Sequence, residues 1–217
     1  MSFWFSGWID ARAILERMNP SRRSVRTYSW ARTASGWLGA ALPLLLAWHA
    51  AAWGDTVRFR VQPEASEVTF QATSRLMNAE GRFHRLSGEV VVDARDLATA
   101  KITLSIEAGS IDTGIGMRDS HLRSEDFFDI RKFPTITFES ERVEGGGHRA
   151  NVFGRLTIRG ITREIAVPVE VSLSEVALVA SGEFVINRRD YGIAYESFLN
   201  PIGDDVRVSF TFRARAG

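Results

Sequence analysis

The side chains that most often carry covalent chemistry are scarce in this chain. It has no cysteine, and of its four histidines only His84, His121 and His148 follow residue 54. His121 ends the run Arg118-Asp119-Ser120-His121, which puts an acid, a hydroxyl and an imidazole next to one another in sequence. Neighbours in one short turn rarely reach triad geometry, which needs a base in hydrogen-bond reach of the nucleophile and a third group to orient it. A metal centre needs three or four converging ligands, and no HxH, HxxxH or HExxH spacing occurs. Gly114-Ile115-Gly116 lacks the third glycine and the long helix of a dinucleotide site, so it reads as a turn. Arg188-Arg189-Asp190-Tyr191-Gly192 offers two guanidinium groups to a phosphate, yet an Arg-Asp pair beside a Tyr-Gly turn more often fixes a strand end. The aromatic group Phe127, Phe128 and Phe133 is suited either to plugging the end of a barrel or to touching an apolar ligand.

The elements that must position these residues are strands. Apolar and polar residues alternate with period two in Val57-Phe59-Val61, Ile102-Leu104-Ile106, Val152-Leu156-Ile158, Ile165-Val167-Val169-Val171, Phe184-Ile186 and Val206-Val208-Phe210-Phe212. Val68-Phe70, Val90-Val92 and Ile136-Phe138 complete eight or nine strands separated by Gly, Asp, Asn and Ser. Alternation of this kind belongs to antiparallel sheets with one wet face, and closure into a barrel removes the exposed edges. Only Gly116–Asp129 breaks the period, and it predicts short helical turns, with Ser124 able to cap the second. Residues 141–151, with three consecutive glycines, read as an exposed loop. No internal repeat, low-complexity tract or second-domain boundary appears, so residues 55–217 are expected to form one domain.

Charge and the N-terminus address partners and compartment. Six of the 27 basic and two of the 26 acidic residues lie in the first 54, which leaves 21 against 24 afterwards. A mildly acidic domain without a basic stripe argues against nucleic acid as a partner. Arg22, Arg23, Arg26 and Arg32 precede the apolar stretch from Trp37 to Trp48 and the small residues Ala50-Ala51-Ala52. That order predicts a secretory signal peptide over residues 1–52, cleaved near Ala52, with an apolar core too short and too interrupted by Pro43 to span a membrane comfortably. Met18 opens a more compact signal, so residues 1–17 are expected to be a mis-assigned start; Ser21–Val25 matches a twin-arginine signal only in part. The expected location is the periplasm.

The segment Ile111-Asp112-Thr113 through Met117–Asp129, followed by Phe133-Pro134-Thr135-Ile136-Thr137-Phe138-Glu139-Ser140, resembles the YceI-like family of lipocalin-like periplasmic proteins. The resemblance continues in Gly154–Arg163, in Ile186–Ile193 and in the closing strand around Val206. Arg159 stands where the family usually has a histidine. The resemblance implies an all-β fold, an extended eight-stranded antiparallel barrel capped by short helical turns. Its apolar pore would accommodate a polyisoprenoid, a quinone or a similar lipid.

Alternation and resemblance together predict binding or carriage of a long apolar ligand, without catalysis. Ile102, Leu104, Ile106, Phe138, Leu156, Ile158, Val206, Val208 and Phe210 are expected to face the lumen, because each has polar or small neighbours. Arg118, Asp119, His121, Phe127 and Phe128 are the candidates at the mouth, where Arg118 could hold an anionic head group through paired hydrogen bonds. The rival role for Arg118 and Asp119 is to hold the helical cap on the barrel. No cofactor or metal is expected, a bound isoprenoid lipid or quinone apart, and self-association into a homodimer stays open. Two other readings are a stress-related protein-interaction module using the 141–151 loop on a filled barrel, and an enzyme acting on an isoprenoid head group with His121 as acid or base oriented by Asp119.

Overall fold

The computed structural model describes residues 56–76, 78–93 and 95–217. The expected signal peptide lies outside the described residues. Eleven strand segments follow one another: β1 (Thr56–Val61), β2 (Glu67–Ser74), β3 (Ala79–Phe83), β4 (Leu86–Asp93), β5 (Asp96–Glu107), β6 (Ile111–Asp112), β7 (Thr135–Gly146), β8 (Arg149–Ile158), β9 (Ile161–Leu173), β10 (Ala177–Asn187) and β11 (Ile202–Ala216). The one α-helix among the described residues, α1 (Gly116–Arg123), lies between β6 and β7.

These segments make eight antiparallel staves, because three staves are each broken once. β1 and β2 lie end to end along β11, separated by a 3-10 turn at Pro63–Ala65. Pro63 brings no N–H to a ladder, so the stave must leave the sheet there. Arg213 spans the break, its backbone N–H donating to Ser66 Oγ (3.0 Å) and its carbonyl accepting from Gln62 N (2.8 Å). β3 with β4, and β5 with β6, break side by side, where Ser110 stitches them together: its carbonyl accepts from His84 N and its hydroxyl from Arg85 N. Each stave then pairs with the next in chain order, and the ring closes where β1 meets β11 at Phe59↔Ala216 and Val61↔Ala214. The result is a closed up-and-down barrel in which every stave pairs with a neighbour on each side over at least part of its length.

Alternation decides which way side chains point. Along β1, Phe59 and Val61 are buried while Arg58 and Arg60 are exposed, and the same rhythm runs through β5, β8 and β9. Outward charges pair across staves, as in Arg58–Glu89 (2.6 Å) and Arg155–Glu139 (3.0 Å). Residues 141–151 are not the expected loop. They form the closing half of the β7–β8 hairpin, in register through Val143↔Val152 and Gly146↔Arg149. Gly145 and Gly147 adopt φ of 110° and 68°, which lets the chain reverse within the residues between Gly146 and Arg149.

One end of the barrel carries the hairpin turns before β5, β8 and β10. The other end is capped. There α1 and the turns that follow it to Phe133 meet the 3-10 turn Arg188–Tyr191 and the connection from Gly192 to Pro201.

Candidate functional site

The inward faces do not fill the barrel. They surround an apolar cavity of about 250 Å³, just below the usual size of a ligand pocket and therefore suited only to something slim. Ile102, Leu104 and Ile106 of β5, Phe138 of β7, Leu156 and Ile158 of β8, and Val206, Val208 and Phe210 of β11 all line it. So do Phe70, Phe83, Ile136, Ile165, Val167, Phe184 and Ile186, which share the same alternation and could have been named with them. Leu122, Tyr191 and Ile193 also line it, from segments without strand periodicity, so no pattern in the sequence singles them out.

Among the described residues Arg188 is the only charged one on the lining. It is 5% exposed, and all five of its N–H groups are committed. Nε donates to Gly203 O (3.1 Å), Nη1 to Ile193 O (2.7 Å) and Tyr195 O (3.0 Å), and Nη2 to Ile202 O (3.3 Å) and Asp204 Oδ1 (2.8 Å). It clamps the connection that starts at Gly192, together with the first residues of β11, onto the barrel end and leaves no donor for a ligand. Arg189 on the neighbouring position pairs with Glu196 and with Asp204, and its hydrogen bond is the main cause that holds the Asp204 carboxyl below its ordinary range. Burial pushes the Tyr191 hydroxyl up to about 12, with Asp190 adding to the shift and Arg163 opposing it.

Phe127 and Phe128 line the cavity at its capped end, Phe128 edge-on to Phe83 at 5.9 Å. Arg118, Asp119 and His121 do not line it. Asp119 is 7% exposed and accepts from both the backbone N–H and the hydroxyl of Thr113, while Arg118 donates to the Thr113 hydroxyl (2.8 Å) and carbonyl (3.0 Å). Both are tied to Thr113, in the link between β6 and α1, which anchors a short helix that has no side-chain N-cap. His121 meets Asp126 (3.2 Å) and stands edge-on to Phe127 (5.0 Å) and Tyr195 (4.8 Å). Asp119 therefore does not orient His121. A second pair, His84 with Asp112 (2.8 Å), lies on the outside of the barrel, and neither histidine reaches the lumen. Among the described residues no group of three His, Cys, Asp or Glu is placed to hold a metal ion.

Arg159 (φ 54°) turns its guanidinium under the cap, donating to Phe127 O (2.8 Å) and Gly192 O (3.2 Å). It ties the β8–β9 turn to both capping segments at once.

The profile of the YceI-like domain matches residues 59–214. A UPF0312 protein of Pseudomonas aeruginosa is 36% identical over 91 residues, 42% of this chain and 48% of that protein. One from Vibrio vulnificus is 37% identical over 92 residues, 42% of this chain and 49% of that protein. The chain thus spans about half the length of the curated relatives it matches. Among solved structures, BcnA of Burkholderia cenocepacia superposes with a TM-score of 0.65 at 26% identity, over 70% of this chain and 98% of that one. A domain from Saccharophagus degradans, described as polyisoprenoid binding and implicated in plant cell wall breakdown, gives 0.62 at 19% identity, over 74% and 99%. That likeness is one of fold.

Proposed function

The chain belongs to the YceI-like family, and from that membership we propose that its barrel binds a single slim apolar chain of the polyisoprenoid class and holds or carries it without chemistry. The observation that carries the proposal is the lumen itself, apolar along its length and bordered by one arginine whose donors are all spent. Such a lumen rewards burial and nothing else. Each buried CH₂ contributes about 0.8 kcal/mol, so a chain of many methylenes binds even after its ordering entropy is subtracted. With the surface that the described lining residues present to the lumen apolar, a head group belongs outside it, and selection is by width and apolarity. The polyisoprenoid-binding description of the Saccharophagus degradans domain favours this class over other lipids. The same proposal puts the barrel in the periplasm, on the strength of the basic, apolar and small-residue order of residues 22–52.

Native mass spectrometry of gently purified protein tests the proposal. A co-purifying species of isoprenoid mass, one per barrel, is the expected result; repeated recovery of folded, empty protein that takes up no added isoprenoid would overturn it.

A further inference from the structure

A chain-shaped ligand needs a way in, and the capped end of the barrel is packed, with Phe127, Tyr191 and Ile193 8%, 2% and 7% exposed. At the other end Phe59, Val92 and Ala214 are buried, while Leu97, Ala100 and Val171 of the lining are half-buried. The wall between them has an unzipped interval. β9 and β10 pair only from Leu178↔Leu173 to Gly182↔Val169, although β9 continues back to Ile161 and β10 on to Asn187. Among the described residues no side-chain hydrogen bond crosses this interval: Glu183 bonds to Arg207 and Ser209, and Asn187 to Asp205 and Arg189 N. The ladder between β5 and β7 also stops short, beyond Thr103↔Glu139, but there Ser140 Oγ accepts from Ile102 N (2.8 Å) and bridges the two.

Pro168 explains where the β9–β10 ladder ends. A Cβ placed on Gly182 would lie 2.4 Å from Pro168 O, so the Pro168 carbonyl faces β10. In a strand the N and O of one residue point to the same side, so the N–H that proline lacks is missing from that side too. The next positions in register, Glu183 opposite Pro168 and Val185 opposite Ala166, therefore begin the unpaired stretch. Its inner lips are apolar: Ile165, Val167, Phe184 and Ile186 line the lumen, while on the outer face Ala166 and Val185 stand between Glu164, Glu183 and Asn187. Among the described residues Val185, at 55% exposed, is the one large exposed hydrophobic on a stave; the others lie in turns, in loops or on α1.

Building on the binding reading above, we propose that an apolar chain passes into and out of the lumen sideways, through the seam between β9 residues 161–168 and β10 residues 183–187. Parting the lips breaks no ladder hydrogen bond there, only apolar contacts that the incoming chain replaces. The tight pairing at Gly182 limits the opening below, and the Arg159 contacts to Phe127 O and Gly192 O hold the cap in place above.

The chain has no cysteine, so an A166C/V185C pair can tie the seam by disulfide or a short thiol linker. A matched control joins the already paired positions Ser181→Cys and Glu170→Cys. Stopped-flow uptake of all-trans-retinol, read by its fluorescence rise, should slow by about ten-fold or more in the tied seam, recover on reduction and stay unchanged in the control. Pro168→Val, which restores the missing donor, should slow uptake without any cross-link. Unchanged rates in both the verified tied seam and Pro168→Val, with a full fluorescence rise, overturn the seam and leave the binding reading standing. No rise in the untied parent overturns the binding reading and the seam with it.

Discussion

Arg188 shows how a charge can border an apolar lumen without serving a ligand: its stem lines the cavity while five donors hold Gly203, Ile193, Tyr195, Ile202 and Asp204. Arg188→Ala removes all five at once and should cost about 3 kcal/mol, with faster amide exchange from 192 to 204 as the accompanying sign. Arg118 invites a sharper comparison. Because it holds Thr113 and lies off the lumen, Arg118→Ala should lower the melting temperature and weaken an anionic and a neutral isoprenoid alike; loss of the anionic one alone would restore it as a head-group anchor. Leu104 is on the lining, so Leu104→Glu should destabilise by about 3 kcal/mol and abolish isoprenoid binding, since a lone carboxylate there has no partner. A Leu104→Glu barrel with unchanged melting and binding would mean that this face does not meet the ligand. The lumen side chains were legible because strand alternation sorts them by face. The committed donors of Arg188 were not, because its partners are oxygens of the 192–201 connection and of the first residues of β11, which no periodic pattern marks.

The staves follow from alternation, but their breaks do not. Pro63 marks one; the paired breaks at His84-Arg85 and Ala108–Ser110 depend on cross-strand bonds to Ser110 that no local pattern announces. The 141–151 hairpin was hidden by its glycines, which read as loop residues although two of them serve a tight reversal within a ladder. The connection from 188 to 204 has a pH response of its own. Asp204 is held below its ordinary value of 3.8 by Arg189 and Arg188, so its contribution is complete above that value and disappears as pH falls through the lowered one. Amide exchange in this connection, compared with that of β8, should therefore accelerate only as the pH drops below the ordinary carboxylate range. Acceleration already at neutral pH would show that the Asp204 pairs do not hold the connection.

At the scale of the whole molecule, the sequence patterns yield a closed barrel and leave its interior undetermined, because inward Val, Ile, Leu and Phe fit a solid core as well as a hollow one. The cavity depends on how eight staves sum their side-chain volumes, which is a property of the ring and of no single stretch. A hollow, apolar, donor-free lumen that takes one chain is the central claim. Calorimetric titration of the protein with geranylgeraniol tests it most directly: saturation at one chain per barrel with a negative heat-capacity change is the predicted result, and a folded barrel that shows no saturable heat at any temperature would contradict it.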